Sequence, residues 1–301
     1  MRIFRLFACL LPAFLLSSCL RLDSNLFNNG EKISSYQWDA FAGEREIKDL
    51  PASYKIPAEE LTQLSLLSDD GGNRALIRAV YLGDTSSIAA DTVILYCHGN
   101  KNHMDLYWNR AKLLSYTGFR GKYGVMMMDY RGYGLSEGNP SETGMHADVL
   151  ACMRWLKSKG LKDGNLVMYG FSLGSAPATF LSVENPVMPV ARLVLEAPFA
   201  SAQAMVEDAA KFSLPSSYFT SLSLDNEGLI RKLKVPFLLI HGKDDDFLRY
   251  EAHGKRVFEN CPEQPGKQQI VVEKAVHNNV PSVMGFENYS AELQDFISGK
   301  R

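Results

Sequence analysis

The sequence predicts an α/β fold: a mostly parallel, twisted sheet of about eight strands with helices on both faces. Two observations lead to this prediction. Short apolar runs bounded by glycine, proline or polar turns recur along the chain, and nearly all are apolar on both faces, as buried parallel strands are. Segments with helical spacing separate the runs, and such alternation is typical of this fold class. The runs occupy residues 92–97, 123–128, 165–170, 192–197, 236–240 and 268–273.

Two further elements have signals of their own. Residues 60–83 hold two apolar stretches around "SDDGGN", which predicts a hairpin that forms an antiparallel edge pair. Residues 144–160 carry apolar side chains at helical spacing and end at Gly160, a residue that commonly stops helices. Active sites in such sheets lie outside the carboxyl ends of the strands, so catalytic residues are expected in the loops that follow them.

Composition argues against a nucleic-acid-binding function and is consistent with one folded domain. The 301 residues carry a net charge of −2 and show no basic stripe with interleaved aromatic residues, so no nucleic-acid partner is expected. We expect one folded domain over 46–301, with a short lid around 201–232 that is too small for a separate cap domain. The lid holds aromatic residues that favour substrates with acyl chains: Phe212, Tyr218 and Phe219.

The first 25 residues are interpreted as an export signal. Two arginines precede a mostly apolar run that is too short to span a membrane comfortably. The run ends in "LSSC", which resembles the lipobox of bacterial lipoproteins. That resemblance implies a signal peptide at 1–18, acyl chains on Cys19 and a polar tether over 19–45. Leu20 favours anchoring at an outer membrane, facing the periplasm. The alternative is an ordinary signal peptide or anchor that happens to contain a cysteine.

The remaining cysteines have no spacing typical of metal ligands. Cys97, Cys152 and Cys261 are predicted to be buried thiols, and Cys97 falls within an apolar run as a small core residue. An exported location permits one disulfide among them, so whether any two are paired stays open.

The loop after the third run, "YGFSLGSAPA", contains Gly170, Ser172 and Gly174 in the pattern G-x-S-x-G. The pentapeptide alone is a weak signal, but here it follows a strand and opens a helix of small residues. That is the context of a nucleophile elbow, in which flanking glycines let a sharp turn expose the serine. The alternative is a simple glycine-serine turn that caps a helix.

Two more loops carry polar motifs. "HGNKNH" at 98–103 follows the first run, and a metal site there is not favoured because no clustered acid or further histidine completes it. "DYRGYGLSEG" at 129–138 follows the second run, and we interpret Asp129 and Arg131 as residues that brace loops.

Together these motifs resemble the α/β-hydrolase superfamily, near its peptidase-like and acyl-thioesterase branches. The resemblance covers roughly residues 60–298 and implies a Ser-Asp-His triad in that chain order, with no metal or cofactor. It also implies that the loop after His98 and Gly99 supplies oxyanion-binding N–H groups, for which we select Asn100 together with Leu173.

Chain order then selects the acid and the base. His277, in "VVEKAVHNN", follows the last run and is predicted to be the base, although Lys274 to Val276 replace the glycines common there. His253 lies in an amphipathic segment and is expected at the surface. In "HGKDDDFL" the family offset selects Asp245 and leaves Asp244 and Asp246 as flanking charges. The alternatives are a solvated acidic turn or a calcium loop, and the spacing does not fit the latter.

The sequence therefore predicts a serine hydrolase that cleaves an ester, thioester or amide through an acyl-enzyme. Its partners would be a small ester, acyl or peptide substrate and, through Cys19, a membrane. Two alternatives remain: a non-catalytic envelope lipoprotein that uses the fold as a binding scaffold, and an acyltransferase. The sequence alone does not determine the natural substrate, the oligomeric state or the membrane leaflet.

Overall fold

The computed structural model describes residues 26–118, 123–184, 186–209 and 220–300. Within them one sheet of eight strands runs in the order β1-β2-β4-β3-β5-β6-β7-β8. In this order, each strand from β4 through β3, β5, β6 and β7 to β8 is parallel to its neighbour. Strand β2 pairs antiparallel with both β1 and β4. This sheet confirms the predicted fold class. The strands are β1 Leu61–Asp70, β2 Asn73–Leu82, β3 Val93–Cys97, β4 Gly124–Met128, β5 Leu166–Phe171, β6 Arg192–Glu196, β7 Phe237–Gly242 and β8 Lys267–Val272.

Helices cover both faces of the sheet, and each face has its own hydrophobic core. One core includes side chains of α2, α3 and α6, and the other includes side chains of α1, α7 and α8. Successive residues of a strand feed opposite cores: Leu95 packs into the first, and Ile94 and Tyr96 into the second. The helices are α1 Trp108–Ser115, α2 Glu142–Ser158, α3 Ser175–Val183, α4 Ala202–Ala209, α5 Asn226–Leu229, α6 Gly254–Asn260, α7 Val280–Met284 and α8 Phe286–Ser298.

The predicted hairpin and helix lie close to their expected positions. Strands β1 and β2 pair from Leu61–Leu82 to Asp70–Asn73, within the predicted 60–83. Helix α2 begins two residues earlier than predicted because the Ser141 side chain accepts a hydrogen bond from the Gly144 N–H and so caps the first turn.

The N-terminal arm, residues 26–47, lies on the domain and reaches the carboxyl edge of the sheet. The N–H groups of Gln37 and Trp38 each donate to the Asp105 carboxylate at 2.8 Å, and Asp39 accepts from the Trp108 indole. Much of the predicted tether therefore packs on the folded domain, because its backbone finds hydrogen-bond partners in the loop before α1. The signal peptide and Cys19 lie outside the described residues.

The predicted lid is described only in part. Residues 226–232 pack beside α3 and α6, and α4 contributes Ala202 to the same core, whereas Phe212, Tyr218 and Phe219 lie outside the described residues. No helix within the described ranges is long and apolar enough to cross a membrane.

His253 is buried, so the expectation of a surface position was wrong. Its side chain has 0% exposure, and its Nε2 lies 3.4 Å from the Asp208 carboxylate. The segment before α6 turns inward: the Ala200 N–H donates to His253 Nδ1, which ties the histidine to the loop after β6. The three cysteines expected to be buried thiols are indeed buried and unpaired: Cys97, Cys152 and Cys261.

Candidate active site

Ser172 stands at a sharp turn between β5 and α3. Strand β5 ends at Phe171, a short 3-10 turn covers Ser172–Gly174, and α3 begins at Ser175. The backbone of Ser172 has φ of +52°, a left-handed conformation that is uncommon for residues other than glycine. Such strained positions concentrate at functional sites, and this strand-turn-helix geometry is that of a nucleophile elbow.

The glycines on either side of Ser172 allow the turn to pack closely. A Cβ atom at Gly174 would lie 1.9 Å from the carbonyl oxygen of Cys97, at the end of β3. A Cβ at Gly170 would lie 2.6 Å from the carbonyl oxygen of Gly174. A larger residue at Gly174 would therefore push the turn away from the end of β3, and one at Gly170 would collide with the elbow and the start of α3.

His277 and Asp245 meet Ser172 at the carboxyl edge of the sheet. The His277 Nε2 lies 2.9 Å from the Ser172 Oγ, and its Nδ1 lies 2.8 Å from the Asp245 Oδ2. Residues more than 100 positions apart thus form one continuous hydrogen-bonded chain. In this chain the imidazole can accept the serine proton while the carboxylate holds the ring in the required tautomer.

The three consecutive aspartates have different environments. Asp245 is 3% exposed, whereas Asp244 and Asp246 lie at the surface. The second oxygen of Asp245, Oδ1, accepts backbone N–H groups from Phe247 and Leu248 at 3.0 and 2.8 Å. Only the middle aspartate therefore points at the histidine.

Asp245 stays ionised despite its burial. Burial alone would raise the pKa of the carboxyl, but hydrogen bonds from His241 and His277 and from the Leu248 N–H outweigh it and hold the pKa well below its usual range. His241 Nε2 lies 3.4 Å from the carboxylate and also contacts the Leu248 carbonyl oxygen at 2.8 Å. The site therefore presents His277 with a fixed negative charge.

The loop that carries His277 tolerates side chains where glycine was expected. Lys274 adopts φ of +64°, a conformation glycine would take without strain. Ala275 is fully buried, and its carbonyl oxygen accepts the Asp244 N–H at 3.0 Å. The Asn279 Oδ1 accepts the Val276 N–H at 2.7 Å. A hydrogen bond to the loop after β7 and one to the start of α7 thus fix the position of the histidine.

Asn100 lies beside Ser172 in the loop that follows β3. Within the described part of the chain, its N–H donates to no protein acceptor, so this N–H remains free for a ligand. Leu173, the other predicted donor, directly follows Ser172 in the elbow that packs against the end of β3. Both positions are compatible with binding an oxyanion.

A pocket of about 330 Å³ opens over the serine. Phe247 stands at its rim with 66% of its surface exposed, and its ring meets the His277 ring edge-on at 5.0 Å between centroids. The pocket is lined by Asn28, Gly99, Asn100, Lys101, Tyr107, Phe171, Ser172, Asp246, Phe247, Val276, His277 and Asn278. No cluster of histidine, cysteine and acidic residues within the described ranges is suited to a metal ion.

Sequence reasoning missed a buried charge cluster beneath the pocket. Arg110, 0% exposed, pairs with Glu44 at 2.8 Å and with Glu196 at 2.7 Å. It also donates to the Asn278 carbonyl oxygen at 3.1 Å and lies 4.2 Å over the Phe171 ring. Two signals were available: Arg110 shares a helical face with the apolar residues three and four positions later, and Glu196 ends an apolar strand.

Asp129 and Arg131 lie where the sequence placed them, in loop-bracing positions. Asp129 accepts the Met104 N–H at 2.8 Å and the Tyr36 hydroxyl at 2.6 Å. Arg131 pairs with Asp148 of α2 at 3.0 Å. Neither Asp129 nor Arg131 is among the residues that line the pocket.

Comparisons with known proteins identify the fold. A family model described as the alpha/beta hydrolase fold matches residues 92–220. Among solved structures, the esterase Pf2001 of Pyrococcus furiosus aligns over 91% of this chain and 98% of its own, with a TM-score of 0.64 and 17% identity. Est1E of Butyrivibrio proteoclasticus, solved with ferulic acid, aligns over 78% of this chain and 98% of its own, with a TM-score of 0.59 and 16% identity. The chain therefore has the α/β-hydrolase fold.

Curated relatives with similar sequences are described by the same domain. The protein aho-3 of Caenorhabditis elegans, an alpha/beta hydrolase domain-containing protein, is 31% identical over 188 residues, which are 62% of this chain and 52% of that protein. The human alpha/beta hydrolase domain-containing protein 17B is 29% identical over 210 residues, 69% of this chain and 67% of that protein. The chain thus spans between half and two thirds of the length of these relatives.

Proposed function

We propose that the protein is a serine hydrolase that cleaves an ester, thioester or amide through an acyl-enzyme. The observation that carries the proposal is the hydrogen-bonded chain from Ser172 through His277 to Asp245, at distances of 2.9 and 2.8 Å. Nucleophile and base within hydrogen-bond reach, with the base oriented by a third group, is the signature of an activated serine.

In the first half of the reaction Ser172 Oγ attacks the substrate carbonyl carbon, and its proton passes to His277 Nε2. The Asp245 carboxylate stabilises the imidazolium that forms, and the N–H groups of Asn100 and Leu173 bind the developing oxyanion. The imidazolium then gives its proton to the leaving alcohol, thiol or amine as the carbonyl reforms. In the second half water repeats the sequence on the acyl-serine and releases a carboxylic acid.

Replacing Ser172 with alanine is expected to abolish covalent labelling by a fluorophosphonate probe. The probe phosphonylates only a serine whose proton is withdrawn by a neighbouring base, and the alanine variant has no oxygen to form the bond. The measurement is gel fluorescence of probe-treated wild type and variant, alongside release of nitrophenol from a short-chain ester.

Ser175→Ala is the matched control, because Ser175 is also buried in the elbow but its Oγ accepts from the Asn226 side chain at 2.8 Å instead of facing His277. It should label like the wild type. Equal labelling of wild type and Ser172→Ala would end the proposed function.

We further propose that Cys19 carries acyl chains and holds the protein at a membrane. Support comes from the lipobox-like "LSSC" and from the position of the arm. Asn28 lines the pocket and follows Cys19 by about nine residues, which span at most roughly 30 Å when extended. An anchor at Cys19 would therefore hold the pocket mouth near the membrane surface.

Cys19→Ser is expected to abolish incorporation of a labelled fatty acid and to move the protein from the membrane fraction to the soluble fraction of a bacterial host. The serine cannot form the thioether that carries the lipid. Cys9→Ser is the control and should be labelled like the wild type. Undiminished labelling of Cys19→Ser would refute the anchor without affecting the proposed catalytic function.

A further inference from the structure

The N-terminal arm begins inside the candidate active site. Asn28 lines the same pocket as Ser172 and His277, and it forms an isolated parallel bridge with Lys101 in the loop after β3. The Asn28 carbonyl oxygen accepts the Asn102 N–H at 3.1 Å. The arm therefore adds a short strand-like pairing to the loop that carries the free Asn100 N–H.

The Asn100 side chain is turned toward the arm. Its Oδ1 accepts the Asn28 N–H at 2.8 Å and the Tyr133 hydroxyl at 2.7 Å, and its Nδ2 donates to the Leu26 carbonyl oxygen at 2.7 Å. The arm and the domain thus both form hydrogen bonds with the Asn100 side-chain amide. Because the side chain is held at three points, the backbone N–H of the same residue has a fixed direction.

Further along, the arm is fastened to the domain by neighbouring contacts. The Asn29 Nδ2 donates to the Gly132 carbonyl oxygen at 2.8 Å, and the Tyr36 hydroxyl donates to Asp129 at 2.6 Å. Asp129 in turn accepts the Met104 N–H, just beyond the same loop. The arm is therefore anchored on both sides of the loop it contacts.

We infer that residues 26–30 of the arm are a positioning element that aims the Asn100 N–H at the oxyanion. The inference rests on the proposed function, because it assigns the arm a part in the same reaction. Oxyanion donors act at about 2.7–3.1 Å from the oxygen of the transition state, and small displacements are costly. An arm that fixes the donor would raise kcat and leave ground-state binding nearly unchanged.

Gly30 offers a sharp test. It has φ of +67°, and a Cβ atom there would lie 2.5 Å from the Asn102 side-chain oxygen. Gly43, in the same arm with φ of +63°, has no neighbour nearer than 3.4 Å to such a Cβ. Alanine strains the backbone similarly at both positions, but only at Gly30 would its Cβ collide with the loop, so that Asn102 or the arm must shift.

Gly30→Ala is therefore expected to lower kcat by about 10- to 100-fold with KM changed by less than about twofold. Gly43→Ala should keep wild-type kcat, and both variants should lose a similar amount of melting temperature. Adding Asn102→Gly to Gly30→Ala should restore much of kcat, because it removes the colliding oxygen and glycine suits the φ of +58° at that position. The measurement is steady-state hydrolysis of a nitrophenyl ester by the full chain.

Asn29→Ala provides a second variant in case Gly30→Ala does not fold, since it removes only the bond to Gly132. It should lower kcat severalfold at unchanged KM. Equal kcat for Gly30→Ala and Gly43→Ala would overturn the inference. If Gly30→Ala does not fold, wild-type kcat for Asn29→Ala would overturn it. Neither result would contradict the proposed function. The proposed function fails if Ser172→Ala stays active.

Discussion

Replacing Asp245 with asparagine is expected to lower kcat by about four orders of magnitude. The Asp245 Oδ1 accepts two backbone N–H groups, so an asparagine would place its own Oδ1 there and turn its Nδ2 toward His277. That amide donates and cannot accept the Nδ1–H. The imidazole would then carry its proton on Nε2 and could no longer accept the proton of Ser172.

The neighbouring aspartates provide matched controls for this prediction. Asp244→Asn and Asp246→Asn remove the same charge from the same loop, but both side chains are at the surface, and the carboxylate hydrogen-bonded to His277 Nδ1 is that of Asp245. Each should change kcat by less than about threefold. The measurement is ester hydrolysis with melting temperature alongside, and a collapse of kcat in Asp244→Asn or Asp246→Asn, with Asp245→Asn active, would assign the acid differently.

Arg110→Met is expected to cost roughly 3–5 kcal/mol of stability. The substitution keeps an apolar stem but leaves Glu44 and Glu196, 4% and 0% exposed, without their cation. Two buried carboxylates without a partner charge are unfavourable, and each must remain desolvated or take up a proton. Urea unfolding at pH 7.5 measures the loss.

Arg256→Met is the control for Arg110→Met. Its pair with Glu227 is equally short, at 2.6 Å, but the Arg256 side chain is 41% exposed, so the loss should stay below about 1 kcal/mol. Equal losses in the two variants would show that burial of the Arg110 cluster does not set its contribution.

The deficit of Arg110→Met should shrink as the pH falls from about 8 toward 5. Burial raises the pKa of Glu44 from 4.5 to about 6 even though Arg110 lowers it, and loss of that cation raises it further. A carboxyl with a raised pKa binds its proton more tightly in the folded state, so ionisation destabilises the fold as the pH rises. Protonation at low pH removes that penalty.

Much of the site could be predicted from the sequence because short motifs of neighbouring residues mark its members. Ser172 sits between glycines after an apolar strand, and His277 and Asp245 follow later strands of the same kind. In a parallel sheet the carboxyl ends of all strands meet at one edge, so order along the chain already implied proximity. The distances that join the three residues needed the folded chain.

The N-terminal arm shows where such reasoning stops. Residues 26–45 are polar and irregular, and the sequence therefore predicts a tether. Their order comes from partners far along the chain: Asn28 with Asn100, Tyr36 with Asp129. Hydrogen bonds between distant backbone and side-chain groups leave no periodic pattern in the sequence.

His253 was misplaced for a similar reason. An amphipathic pattern gives the exposed side of a helix, but His253 precedes α6 and turns into the space beside His241 and Asp208. Local spacing does not report which neighbouring segment covers a residue.

By itself, then, the sequence determined the α/β sheet, and its resemblance to the α/β-hydrolases selected Ser172, Asp245 and His277 as the candidate triad. The sheet depends on periodicity and the resemblance on short motifs, and both are properties of neighbouring residues. Only the tertiary structure showed that Arg110 pairs with two buried carboxylates beneath the pocket and that the arm forms a hydrogen bond with Asn100. Those contacts depend on which distant surfaces meet once the sheet has formed, because burial and hydrogen bonding are set by the packed neighbours of a residue and not by its position in the chain.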